Sequence, residues 1–218
     1  MSPRTIDPSV ADIAERAGRC ADLPALAETV SSCTACVELA ATRHHVVVGD
    51  TRPAARLLIV GEAPGANEDE VGRPFVGKGG QLLDALLADA GLDRAEVSVL
   101  NVLKCRPPAN RTPTRPEANR CTGWLDRQLE LLDPPVVLTL GRTALTWAVG
   151  TAATLAAMRG QVHAWRGRGL VVSYHPSAAL RFGPRGEPHL ALAEDLRFVA
   201  KIVSSAGGSR LESRVAGR

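Results

Sequence analysis

Four short apolar runs, separated by segments with helical spacing, constrain the fold of this 218-residue chain more than any other feature. Leu57-Leu58-Ile59-Val60 is stopped by Gly61, and Val97 to Val102, Val136 to Leu140 and Leu170 to Ser173 follow it. Leu23 to Val30 reads as a short helix ahead of the first run. Between the runs, Gln81 to Ala90 places Leu82, Leu83, Leu86 and Leu87 on one face, with Gly91 as its stop. Pro116 to Leu132 is a helix opened by proline in its first turn. Arg142 to Val149 reads as a further helix, and Leu190 to Val203 closes the series. Apolar strands alternating with helices predict an α/β fold, its mostly parallel sheet covered on both faces.

In such sheets, ligands bind in the crevice beyond the carboxyl ends of the strands. The first run ends at Gly61-Glu62-Ala63-Pro64-Gly65, the second at Asn101, and the fourth at Tyr174-His175-Pro176-Ser177. The distinctive polar residues therefore fall where this architecture places its chemistry. Taken singly, each is also compatible with a structural role. Gly61 to Gly65 lacks the three-glycine spacing of a dinucleotide fingerprint and makes a tight, rigid loop instead. A lone His175, a buried Asn101 and Phe75 in Arg73-Pro74-Phe75-Val76-Gly77 are each ordinary core or turn residues in isolation.

Hydrophobic residues at 45% and charged residues at 22% describe an ordinary globular chain. A single domain over 1–203 is expected, with a flexible Ser-, Gly- and Arg-rich tail at 204–218. No apolar run approaches the roughly 20 residues of a membrane helix. The N-terminus carries Asp7, Asp12 and Glu15 and lacks the apolar core of a secretory signal. A cytoplasmic location with no membrane association is expected. The net charge is only +3, but residues 104–120 hold five basic side chains against Glu117 alone, and residues 159–185 hold five arginines and no acid. Two basic loops meeting a polyanion would explain this segregation; so would solvated arginine in a chain with 23 Arg and 3 Lys.

Five cysteines in a reducing compartment point to metal binding or burial, not disulfides. Cys33 and Cys36 form a CxxC, and Cys105 and Cys121 flank the first basic stretch. Such a tetrathiolate suits zinc or an iron–sulfur cluster, and spacing does not choose between them. Cys20 stands outside this quartet.

In combination, five ordered stretches resemble the family-four, iron–sulfur uracil-DNA glycosylases. They are Gly61 to Gly65, Glu68-Asp69, Gly72-Arg73-Pro74-Phe75-Val76-Gly77-Lys78, Asn101 to Arg111, and His175-Pro176-Ser177, and the likeness runs from about Leu23 to Val203. The resemblance implies a three-layer αβα sandwich with a central four-stranded parallel sheet. It also implies a structural 4Fe–4S cluster on Cys33, Cys36, Cys105 and Cys121, and hydrolysis of the uracil–deoxyribose bond in single- or double-stranded DNA by a monomer. Glu62 would activate water, and His175 would stabilise charge on uracil O2, as a neutral donor or a cation. Gly61, Ala63, Phe75, Asn101 and Ser177 would bind the flipped base, with Phe75 stacking on its face and Asn101 reading its edge. Lys104, Arg106, Arg111 and Arg181 would grip phosphates, and Leu180 would fill the hole left by the base.

Gly79 stands where the family usually has alanine, a departure expected to be harmless. A related branch traps uracil-DNA covalently through a histidine in an inserted loop after the second strand. Here the stretch from Arg106 to Cys121 is short and has no histidine, so turnover is expected. Two other functions remain open: a non-catalytic uracil- or abasic-DNA-binding protein of the same fold, and a zinc-stabilised hydrolase acting on nucleotides.

Overall fold

The computed structural model describes residues 8–205, and residues 206–218, most of the tail expected to be flexible, lie outside the described residues. Five strands form one sheet: β1 (Leu57–Gly61), β2 (Val97–Asn101), β3 (Val136–Leu140), β4 (His163–Trp165) and β5 (Arg168–Ser173), in the spatial order β2-β1-β3-β5-β4. β2, β1, β3 and β5 are mutually parallel, as the four apolar runs predict. The expectation of four strands needs one correction, because β4 pairs antiparallel with β5 at the edge. Its three residues are too few to show a period. The pairing is made by a two-residue turn in which Arg166 and Gly167 adopt φ of 46° and 73°, the backbone that a tight hairpin requires.

Among the described residues, ten α-helices surround the sheet: α1 (Pro8–Gly18), α2 (Leu23–Ser31), α3 (Val37–Thr42), α4 (Ala66–Val71), α5 (Lys78–Asp89), α6 (Arg115–Leu132), α7 (Gly141–Val149), α8 (Leu155–Met158), α9 (Pro176–Phe182) and α10 (Glu187–Ser205). Alternate strand residues feed two cores. Leu57, Ile59, Val97, Val99, Leu138 and Val171 pack with Leu83 and Leu87 of α5, Ala179 of α9 and Leu192 and Leu196 of α10. Leu58, Val60, Leu100, Val137 and Val172 pack on the other face with Leu125 and Leu129 of α6 and Ala144 and Leu145 of α7. Burial on both faces explains why these strands read as continuous apolar runs.

Helix α1 was not apparent in the sequence pattern. It contributes Ile13 and Ala17 to a third, smaller core with Leu26, Val30 and the fully buried Trp124. Along the outer edge of β2, Val47 N donates to Lys104 O at 2.7 Å, and Asp50 and Val99 exchange both backbone hydrogen bonds, at 2.9 and 2.8 Å. No described helix is long and apolar enough to cross a membrane.

Candidate active site and cysteine centre

Parallel pairing of β1 with β2 sets Gly61 opposite Asn101, and the pairing continues past the strands, with Val102 N on Gly61 O and Leu103 N on Glu62 O, both at 3.0 Å. Together with the loop after β5, these strand ends form a cleft of about 420 Å³. Glu62, Ala63, Phe75, Asn101, His175 and Ser177 all line it. Gly61 lies just behind: a Cβ there would stand 2.5 Å from Asn101 Oδ1 and 2.6 Å from Phe75 Cζ. Only glycine leaves room for both side chains.

Asn101 is 2% exposed, and its Oδ1 has no hydrogen-bond partner among the described residues. A buried amide oxygen left unpaired costs about 1–3 kcal/mol, so it is poised for a donor from a ligand. Phe75 holds φ at 55°, a strained conformation for a bulky residue, and its ring lies 5.8 Å from the His175 ring. The strain is held by Glu68, whose Oε1 accepts from Val76 N at 2.9 Å and Gly77 N at 2.7 Å while Oε2 accepts from Gly65 N at 3.1 Å. Glu68 thus ties the loop after β1 to the Phe75 loop.

His175 caps α9, and Ser177 N donates to its Nδ1 at 3.2 Å, with Ser177 Oγ at 2.8 Å from the same nitrogen. A backbone amide only donates, so Nδ1 is the acceptor and Nε2 carries the proton. Burial pushes the imidazole pKa down to about 4, partly countered by Glu68. Of the two states left open by sequence, the neutral donor is the one this geometry supports.

The phosphate contact expected of Lys104 needs correction. Lys104 is 1% exposed, its Nζ donates to Asn101 O at 2.9 Å, and burial lowers its pKa to about 8. It braces Asn101 from within the fold and is not exposed for contact with a phosphate. Arg111 lies at the cleft but is held by both Glu117 oxygens, at 2.9 and 2.7 Å, and by Glu38 at 3.2 Å. Its first role is to fix the loop ahead of α6, whose start is a reciprocal cap between Thr114 and Glu117. Arg106 donates from Nε to Asn110 Oδ1 at 2.7 Å. Leu180 and Arg181 lie exposed on α9, outside the cleft, and are joined there by Phe182, which is 65% exposed against 45% for Leu180.

The four cysteines come together. Cys33 follows α2, Cys36 caps α3, Cys105 follows β2 and Cys121 lies within α6, and all four line one cavity with Ile13, Arg43 and Trp124. Arg43 donates to Cys105 Sγ at 3.0 Å and to Cys33 O at 2.7 Å, and Lys104 N donates to Cys121 Sγ at 3.3 Å. Burial pushes the thiol of Cys121 up to about 12 and that of Cys105 up to about 11, partly countered by the nearby charges of Lys104 and Arg43. No group of three or more His, Cys, Asp or Glu among the described residues is arranged to hold a single metal ion. Cys20 is buried apart, with Sγ 3.4 Å from Arg16 O.

Comparison with known proteins agrees with this geometry. The Uracil DNA glycosylase superfamily matches residues 48–197, more than half the chain. The chain belongs to this superfamily. A type-4 uracil-DNA glycosylase of Thermotoga maritima is 40% identical over 184 residues, covering 84% of this chain and 95% of the relative. One from Pyrobaculum aerophilum is 42% identical, covering 73% and 85%. A type-5 uracil-DNA glycosylase of Thermus thermophilus is 32% identical, covering 72% and 87%. The superfamily match spans Glu62, Phe75, Asn101, Cys105, Cys121 and His175, whereas Cys33 and Cys36 precede it.

Sequence reasoning missed Glu68 as an organiser of the cleft, Arg43 beside the cysteines, and Thr143, whose Oγ1 donates to Glu62 Oε2. Thr143 was discoverable, because the strand-end rule that exposed Asn101 and His175 applies equally to the end of β3.

Proposed function

We propose that this protein is a uracil-DNA glycosylase of the type-4 kind, releasing uracil from DNA and leaving an abasic site. The observation that carries the reading is Asn101, a buried residue with Oδ1 unpaired among the described residues, which lines a cleft bounded by an aromatic ring and a neutral histidine. Uracil offers N3–H to that oxygen and O4 to the amide NH₂. Cytosine presents the opposite pattern at both atoms, leaving buried polar groups mismatched.

The base enters the cleft only after leaving the duplex stack. Phe75 stacks on it, and Leu180, with Phe182 beside it on α9, fills the vacated space. As the N1–C1′ bond breaks, its electron pair stays with uracil and spreads to O2, where the Nε2–H of His175 donates. The sugar becomes cationic at C1′, and Glu62 offsets that charge and takes a proton from the water that attacks it. Exposed Arg181 and the outer arginines of the basic loops meet the phosphates, with Lys104 excluded from that set. The stretch from Arg106 to Cys121 has no histidine to trap the sugar, which favours turnover.

Cys33, Cys36, Cys105 and Cys121 would hold a 4Fe–4S cluster. The four cysteines line one cavity, and N–H groups of Arg43 and Lys104 serve the sulfurs of Cys105 and Cys121. When bound, the cluster supplies structural cross-linking. The chain itself contributes the base contacts and the proton movements.

Incubation with uracil-containing single- and double-stranded oligonucleotides, followed by alkali, tests the reading. Strand cleavage at uracil with many turnovers per protein is expected, and Asn101→Ala should lower kcat/KM by about 5- to 150-fold, the equivalent of one buried hydrogen-bonding group. A protein with a full complement of iron and sulfide that leaves uracil in place would overturn it.

A further inference from the structure

The turn between β3 and α7 carries no residue of the five recognised stretches, yet it touches both groups that act on the glycosidic bond. Gly141 adopts φ of 84°, and a Cβ there would stand 3.0 Å from His175 Cβ. Two residues on, the Thr143 hydroxyl donates to Glu62 Oε2. This contact joins residues 81 apart in sequence and is made possible because β1 and β3 are neighbouring parallel strands, with Val60 opposite Thr139. A threonine in a helix commonly turns its hydroxyl onto the backbone one turn earlier. Here it is committed to a carboxylate in the cleft.

We propose that Thr143 is a positioning residue for Glu62, fixing one carboxylate oxygen so that the other is free to hold the attacking water. The proposal rests on the uracil-releasing role given above. Glu62 stands on a loop with a flexible three-bond side chain, and its half-buried carboxylate would otherwise sample several rotamers. One occupied oxygen defines the orientation of the other. Because the same turn abuts His175, it also sets the separation between the group that serves the leaving base and the group that serves the water. Reaction at a fixed centre depends steeply on such placement.

Thr143→Val keeps the branched shape and removes the donor, and Thr143→Ser restores the hydroxyl. Single-turnover uracil release, affinity for uracil-DNA, and the Glu62 side-chain orientation in crystal structures of the wild type and both variants read the effect. Glu68, Lys78, Arg111 and His175 line the same cleft as Glu62, and Arg142 precedes Thr143; all are unchanged in both variants. In Thr143→Val the release rate should fall about tenfold, as for loss of one charge-assisted hydrogen bond. DNA affinity should hold, so the loss appears in the release rate and not in binding. Thr143→Ser should return the rate towards wild type. A wild-type rate in Thr143→Val, or a Thr143→Ser protein as slow as Thr143→Val, would overturn the proposal. A Thr143→Val crystal structure in which the Glu62 carboxylate keeps its wild-type orientation would overturn the bond itself. Inactivity of the wild-type protein on uracil-DNA would count against the proposed function, while the Glu62 orientation in the crystal structures would still decide whether Thr143 holds it.

Discussion

The protonation of His175 is set by its neighbours before any substrate arrives. An amide donor on Nδ1 and a desolvated ring leave Nε2–H as the group presented to the cleft. Its pKa of about 4 lies below the value of about 6.5 expected in the unfolded chain. Between those values only the unfolded chain takes up a proton, so this group's contribution to stability is lost as pH falls from about 6.5 towards 4. NMR of the ring at neutral pH should show the Nε2–H tautomer with no titration near 6.5; a midpoint near 6.5 would contradict the lowered pKa, and an Nδ1–H tautomer would reject the proposed donor. Removing the ring by His175→Ala should lower kcat by about 100- to 1,000-fold, the usual consequence of losing one donor to a developing anion. Asn101 and His175 were legible in sequence because each interrupts an apolar run at a strand end. Lys104 was misread for a related reason: a charge count treats every cation as solvated, whereas this one turns inward onto Asn101 O. Thr143 was hidden as an unremarkable residue in a helix start.

The opening turn of α5 shows how an element shapes the pocket. Gly79 and Gly80 are adjacent and have different surroundings. A Cβ on Gly79 would meet Pro176 Cβ at an ordinary 3.7 Å, so Gly79→Ala should leave activity and Tm unchanged. A Cβ on Gly80 would stand 1.7 Å from Phe75 O and 2.1 Å from its carbonyl carbon. Backbone cannot swing aside as a side chain can, so Gly80→Ala should displace the Phe75 loop. Thermal unfolding should show a loss of about 1–3 kcal/mol, and kcat/KM on uracil-DNA should fall with it. Equal behaviour of the two variants would refute this account of the loop. At this scale the parallel strands and long helices were readable from periodicity. β4 was too short to show a period, and α1 shows its apolar face only once Ile13 and Ala17 are seen against Trp124.

Across the whole molecule, the cysteine centre joins α2, α3, the segment after β2 and α6, with α1 packed on the same small core. Lys104 links the centre to the cleft, since its amide donates to Cys121 Sγ and its ammonium group to Asn101 O. On the proposal that these cysteines hold a 4Fe–4S cluster, removing its iron with an oxidant and chelator should lower Tm and weaken DNA binding before it alters the excision rate of the remaining folded protein. Metal analysis alongside calorimetry and single-turnover assays would check this order, and an iron-free protein that melts and binds DNA normally would contradict it. The quartet of cysteines was visible in sequence, but Arg43 beside Cys105 was not, because nothing in its local pattern sets it apart from the chain's other arginines.

The covered edge of the sheet has a further consequence, for crowding. At one side Asp50 occupies both backbone groups of Val99, midway along β2, and at the other the edge is only the three residues of β4. Neither margin offers a long template for strand addition, so concentrated protein has little opportunity to grow β-linked aggregates from its native state. The molecule can carry a reactive, polar strand-end crevice without exposing an adhesive sheet beside it.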